Sequence, residues 1–324
     1  PRQMRTLSMV SVIAVMLFTA ECNSPRRNPV AQDTGTKGHI TISGAFALYP
    51  ITVKWAEEFG KLYPGIQIDI SAGGAGKGMA DALSEMADLG MFSREISAEE
   101  MARGAWYIAL TRDAVLPTIH AQNPFLEDLM KKGVDREELR AMFVTGEITT
   151  WEELLDLPPS TEITLFTRSD ACGAAAMWAA YLGVNQEDLL GLGVFGDPGV
   201  ADAVKGDLRG FGYNNTAYIY DIQSRTKYQN LEVVPLDLDG DGHIAEEERF
   251  YGSLDQVVRA IQENRYPAPP ARDLYFVSHG RPEKAEVILF IEWILSSGQN
   301  FLREAGYVRL PDQQIEAELE KLHH

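Results

Sequence analysis

The stretch Thr167-Arg168-Ser169-Asp170-Ala171-Cys172-Gly173-Ala174-Ala175 decides how the chain is read. Before it stands Ile163-Thr164-Leu165-Phe166, a short apolar run that reads as a buried strand. After it, Ala176 to Leu182 is alanine-rich, carries Met177, Trp178 and Tyr181, and stops at Gly183, so it reads as a helix. The stretch is therefore a strand-to-helix turn, with Asp170 expected as the N-cap. The first N–H groups of a helix lack internal partners and carry partial positive charge. Small Ala, Cys and Gly residues leave that backbone open to an anion. Arg168 adds a full charge and a planar fork of donors suited to a tetrahedral oxyanion. The same nine residues also fit an ordinary helix start with a surface arginine.

The chain has 324 residues, more than one typical domain, and two lobes are expected. Its net charge of −18 argues against a nucleic-acid partner, because phosphate backbones need clustered Lys and Arg. A small anionic ligand stays open, since a local site can be positive inside an acidic protein.

Residues 1–22 read as a signal peptide. Arg2 and Arg5 precede an apolar run from Met9 to Ala20, too short for a comfortable membrane span. Cys22 follows at once, so it is expected to be lipidated and to anchor the chain to a membrane. Glu21 sits where a small residue would normally precede such a cysteine, and cleavage after Ala20 is the alternative. Residues 23–37 are polar, with Pro25, Pro29 and Gly35, and read as a flexible tether. With Cys22 lipidated, Cys172 has no disulfide partner.

From His39 the pattern is strand, loop, helix, twice over. Ile40 to Gly44 alternates as a strand, then Ala45-Phe46-Ala47-Leu48-Tyr49-Pro50 turns into a helix through Trp55 and Phe59. Ile66 to Ile70 is the next strand, and Gly73-Gly74-Ala75-Gly76-Lys77-Gly78 opens the helix of Met79 and Leu83. These glycines match neither a P-loop nor a dinucleotide fingerprint, but they let backbone approach a ligand. Asp88 to Arg94 makes a third turn, presenting Ser93 and Arg94. With residues 168–174, four loops lie at strand ends, where open α/β sheets bind ligands.

The order and residues of these four loops resemble the phosphate-binding proteins of Pst-type ABC transporters, in the type II solute-binding fold. Gly212-Tyr213, Tyr266 to Val277 and Gly298-Gln299 also have counterparts there, and the likeness covers roughly residues 39–310. It implies an α/β protein of two lobes, with mixed sheets flanked by helices, that closes on its ligand by hinge motion. Residues 38–108 and 274–311 are expected as lobe 1, 109–273 as lobe 2 and 312–324 as a C-terminal tail. The crossings are expected near Trp106–Leu110 and Leu274–Val277. The resemblance implies an extracytoplasmic, monomeric binder of a small oxyanion, phosphate first, that serves an ABC permease. The implied ligand-binding residues are Ala45, Phe46, Ala47, Gly74, Ala75, Gly76, Ser93, Arg94, Arg168, Asp170, Cys172, Gly173 and Ala174. Asp170 is expected to hold Arg168, because a carboxylate facing an anion repels it.

The chain departs from the family at its hydroxyls. Ala45, Phe46 and Ala47 replace hydroxyl residues of the first loop, Ala75 a serine of the second, and Cys172 and Ala174 a serine and threonine of the fourth. A buried ligand oxygen left unpaired costs roughly 1–3 kcal/mol. Either affinity is lower than in the family or the ligand, or sensed anion, differs from phosphate.

A second motif is Asp237-Leu238-Asp239-Gly240-Asp241-Gly242-His243-Ile244-Ala245-Glu246-Glu247-Glu248. It matches the EF-hand calcium loop: Asp237, Asp239 and Asp241 at positions one, three and five, the His243 carbonyl at seven and Glu248 at twelve. A structural Ca²⁺ is expected there, between the strand Leu231–Leu236 and the helix Leu254–Ile261. Two other functional classes stand against this reading. Cys172 at a helix start beside Arg168 has the setting of a nucleophile, but no base lies near it in sequence. A calcium-dependent adhesion protein would need a repeat or an apolar stripe, and the sequence offers neither. The expectation is a binding protein, not an enzyme.

Overall fold

A computed structural model describes residues 35–158 and 160–324. The expected signal peptide, Cys22 and most of the tether lie outside the described residues. Nine strands follow in chain order: β1 Gly38–Gly44, β2 Ile66–Ala72, β3 Leu89–Phe92, β4 Ala105–His120, β5 Thr164–Arg168, β6 Leu192–Val194, β7 Gly210–Asn215, β8 Leu231–Val233 and β9 Ala271–His279. The helices are α1 Tyr49–Leu62, α2 Ala75–Leu83, α3 Ala98–Ala102, α4 Leu126–Lys132, α5 Arg136–Arg140, α6 Gly173–Leu182, α7 Gly196–Gly206, α8 Leu254–Gln262, α9 Ala285–Leu295, α10 Leu302–Ala305 and α11 Asp312–His323.

The strands form one mixed sheet in the order β2-β1-β3-β9-β4-β7-β5-β6, with β8 also paired to β4. β1 is parallel to β2 and β3, and β5 is parallel to β6 and β7, as strand-helix-strand units require. The long β4 and β9 run antiparallel and join the two halves. The mixed sheet with helices on its faces is the α/β architecture expected.

Two separate apolar cores define two lobes. One collects Ile40, Ile42, Trp55 and Phe59 with Phe276 and Phe290. The other collects Phe143, Trp151, Trp178, Phe211 and Tyr213. Along β4, Ile108 to Leu110 belong to the first core and Ala114 to Leu116 to the second. Along β9, Ala271 belongs to the second and Leu274 to the first. The chain thus changes core at Thr111–Asp113 and at Arg272–Asp273. The first passage lies beyond the expected crossing at Trp106–Leu110, because β4 continues past the first core without a break in pairing apart from one bulge between Ala109 and Thr111.

Residues 312–324, expected as a tail, are instead α11. Ile315 and Leu322 stand seven residues apart, on one helical face, and are buried in the first core. The helix closes that lobe after the chain has returned through β9. Leu322→Ala or Ile315→Ala is expected to lower stability by roughly 2–5 kcal/mol, the range for emptying a buried aliphatic site. Urea denaturation measures it, and a loss below about 0.5 kcal/mol, usual for surface substitutions, would contradict the docked helix.

Candidate functional site

Four strand-end loops meet between the two cores. β1 ends at Gly44, where φ is 128° and an added Cβ would lie 2.4 Å from the Met91 carbonyl oxygen. Only glycine fits that approach. The Gly73 and Gly74 N–H groups donate to the Gly44 carbonyl at 2.9 and 3.1 Å, which ties the second loop to the first. Ser93 follows β3, and residues 169–172 lead from β5 into α6.

The lobes are closed on each other at these loops. The Gly76 N–H of the first lobe donates to the Ala171 carbonyl of the second at 3.0 Å. A Cβ on Gly173 would lie 2.1 Å from the Ser93 Oγ, and one on Gly74 would lie 2.8 Å from an Asp170 oxygen. The Tyr218 hydroxyl donates to the Phe46 carbonyl at 2.8 Å. The Phe46 ring lies over Arg168, 5.7 Å from the guanidinium carbon. Ala45, Ala47, Ala75, Ser93, Arg168, Cys172, Gly173 and Ala174 are buried. The N–H groups of Phe46, Ala47, Ala75, Gly173 and Ala174 donate to no acceptor within the described residues. The last three open α2 and α6, where helix geometry leaves N–H groups without partners.

Arg168 is the charge at the centre, its side chain 1% exposed. Its Nε donates to Asp170 Oδ1 at 2.8 Å, its Nη2 to Asp170 Oδ2 at 2.5 Å and its Nη1 to Asp197 Oδ2 at 2.6 Å. These three bonds leave two of the five guanidinium N–H groups uncommitted. Burial works against the charge of Arg168, but the negative groups around it, Asp197 foremost, outweigh burial and raise its pKa. Burial likewise works against the Asp170 carboxylate, and the bonds from Arg168 more than offset it, holding its pKa below the ordinary value.

The support of Arg168 continues to the strands that cross between the lobes. Asn215 Nδ2 donates to Asp197 Oδ1 at 2.6 Å, and Asn215 Oδ1 accepts from Arg272 Nη2. Arg272 Nε donates to Asp113 Oδ1 at 2.9 Å. Asp113 lies on β4 and Arg272 on β9, both at the change of core. Burial pushes the Asp113 carboxyl up to about 6, with Arg272 opposing.

Several expectations are corrected. Asp170 is not the N-cap of α6, because its oxygens are taken by Arg168 and by the Gly196 N–H at 3.1 Å. Cys172 caps the helix instead, its Sγ accepting from the Ala175 N–H at 3.4 Å. Burial pushes the Cys172 thiol up to about 12, against the pull of Arg168, which is the reverse of an activated nucleophile. Arg94 is paired with Glu100, donating at 3.0 and 2.7 Å, and borders a depression shared with Gly76, Ala171 and Cys172. Asp197, Asn215 and Arg272 were not picked out from the sequence. Arg272 had a signal, a charge inside the apolar strand Ala271–His279; Asp197 had none beyond an Asp-Pro helix start.

In the acidic loop, ligand oxygens of Asp237, Asp239 and Glu248 lie within 4.8 Å of one another. Asp237 accepts from the Gly240 and Gly242 N–H groups, each at 2.8 Å, and Glu248 from Leu238 at 2.7 Å and Ala245 at 2.9 Å. Ile244 is buried and its N–H donates to the Lys131 carbonyl at 2.8 Å, which pins the loop to the end of α4. Asp241 and His243 stay outside that trio: Asp241 is exposed and accepts from the His243 N–H at 2.8 Å.

Comparison with known proteins gives a consistent picture. The PBP superfamily domain matches residues 29–297. The phosphate-binding protein PstS of Bacillus subtilis (strain 168) is 30% identical over 181 residues, 53% of this chain and 57% of that protein. PstS of Staphylococcus aureus (strain USA300) is 21% identical over 292 residues, 88% of this chain and 83% of that protein. A Clostridium perfringens protein solved with bound phosphate superposes with a TM-score of 0.68 at 21% identity, covering 84% of this chain and 100% of its own. At that identity the superposition shows a shared fold.

The contact of Gly173 with Ser93 gives a test of closure. Gly173→Ala is expected to leave each core intact, with a melting temperature within a few degrees of wild type, and to hold the lobes apart. Small-angle scattering then gives a larger radius of gyration for the variant. Equal radii would contradict the closed contact.

Proposed function

The chain belongs to the PBP superfamily, and from that premise we propose that it is an extracytoplasmic solute-binding protein that captures a small oxyanion, phosphate first, for an ABC importer. The observation that carries this reading is the meeting, at one buried place between the lobes, of two helix N-termini, unspent loop N–H groups and an arginine with two uncommitted donors. Such a set offers hydrogen bonds and positive potential to a tetrahedral anion without needing side-chain hydroxyls. The names of the PstS relatives point the same way. Ala45, Phe46, Ala47, Gly74, Ala75, Gly76, Ser93, Arg168, Cys172, Gly173 and Ala174 line or shape the site, and Asp170 with Asp197 holds the arginine. Arg94 is paired with Glu100 beside Gly76 and Ala171.

The remaining parts of the reading concern location and stability. Cys22 carries a lipid anchor and the chain acts as a monomer at the outer face of a membrane; among the described residues no helix is long and apolar enough to cross one. The permease of the importer is the protein partner. The acidic loop holds a structural Ca²⁺ on Asp237, Asp239 and Glu248, a reading supported by the convergence of their oxygens. Asp241 and the His243 carbonyl would complete the coordination.

Removing the guanidinium tests the anion site. Arg168→Ala is expected to weaken binding of inorganic phosphate by roughly 1.5–3 kcal/mol for each charge-assisted bond lost. Arg168→Lys, which keeps the charge and loses the fork, falls between the two. Calorimetric titration of dialysed protein measures both, with melting curves to verify folding; wild-type affinity in folded Arg168→Ala would refute the site.

The calcium reading is tested by stability. A ligand bound to the native state alone adds about 2.7 kcal/mol at a hundredfold excess over Kd. Chelation should therefore lower the melting temperature, Ca²⁺ should restore it, and Glu248→Ala should remove the difference. A protein shown to start metal-free, whose melting curve ignores both Ca²⁺ and chelator, would refute it.

A further inference from the structure

A cavity adjoins the first of the anion loops at Phe46. It measures about 810 Å³ and opens between the lobes. Tyr49, Val53 and Phe301 line it from the first lobe, Ala201 and Tyr218 from the second, and Phe46 stands between. Phe46 is also the residue whose ring covers Arg168. Phe46 therefore stands between Arg168 and the cavity. A cavity of that size and lining is the kind that encloses an organic molecule, and one tetrahedral oxyanion fills only a small part of it.

The charges on its wall balance: Lys54 and Lys205 against Asp202 and Glu304. Lys205 pairs with Asp202 at 3.2 Å, and Lys54 is held by Glu58 at 2.9 Å. The wall thus suits an uncharged group, and its apolar surface supplies the driving force for burial.

This cavity and the apolar side chains of the loops have one explanation. Inorganic phosphate presents four oxygens, each needing a donor when buried. In a monoester the bridging oxygen needs none, and in a phosphonate one oxygen is replaced by carbon. Ala45, Phe46, Ala47, Ala75, Cys172 and Ala174 bring no hydroxyl donor to these loops. We infer that the preferred ligand is a phosphate monoester or phosphonate with an apolar organic group, its oxyanion on the four loops and that group in the cavity beside Phe46. The inference rests on the proposed oxyanion site and adds the class of ligand.

The experiment is calorimetric titration of the purified protein with inorganic phosphate and with phenyl phosphate. Phenyl phosphate is expected to bind roughly tenfold or more tightly, the effect of burying a ring. Val53→Trp fills the cavity from α1 and is expected to abolish that preference while inorganic phosphate binds as before. Ala305→Leu, on the same wall, is the second variant should Val53→Trp not fold. Equal affinities for the two ligands in wild type would overturn the inference and leave the oxyanion reading standing. A preference that survives filling of the cavity would overturn it as well. Binding of neither ligand would remove the oxyanion reading itself, and the inference with it.

Discussion

The arrangement depends on a guanidinium buried between two carboxylates. An arginine removed from water is tolerated only when opposite charges and hydrogen bonds replace its hydration. Asp170 and Asp197 do this for Arg168 with three short bonds. The pairing fixes the plane of the fork and so fixes which two donors remain. It also makes the trio net negative, one arginine against two aspartates, so the arginine alone does not create an attractive site. The balance is supplied by the starts of α2 and α6, whose unpartnered N–H groups carry partial positive charge without a counter-ion. This is why the loops are built from Gly and Ala: a larger side chain would keep the backbone from the place where its charge is needed.

The same network links the site to the passage between lobes. Asp197 is held by Asn215, Asn215 by Arg272, and Arg272 by Asp113, and the last two stand on the strands where the chain changes core. Among the described residues, one Asp113 oxygen and the Arg272 Nη1 are buried without a partner. Groups left in that state carry a desolvation cost. The contacts of Ser93 and Gly76 with the second lobe and the packing of charged groups at the change of core therefore belong to one connected network.

Much of this was legible in the sequence because it depends on local pattern. The alternation at Ile40–Gly44 and Ile66–Ile70, the small residues after Arg168 and the stop at Gly183 each state a local structure, and the strands and helices follow them. What was misread depends on partners distant in sequence. Asp170 looks like a cap until the Arg168 fork takes its oxygens. The Glu100 partner of Arg94 likewise comes from outside its loop. Asp197 carries no local sign of its role, since its partners come from β5 and β7. The last helix was missed for a different reason. Its surface is polar, and Ile315, Leu319 and Leu322 mark a face only when read at helical spacing.

The central claim is that a tetrahedral anion sits among residues 45–47, 75–76, 93 and 168–174, with Arg168 in direct contact. A crystal structure of dialysed protein grown with inorganic phosphate tests it most directly. The account predicts tetrahedral density within hydrogen-bond distance of an uncommitted Arg168 N–H and of the Gly173 and Ala174 N–H groups, with Asp170 and Asp197 still on the arginine. Phosphate bound elsewhere, with the four loops packed together and Arg168 touching only its two aspartates, would contradict it.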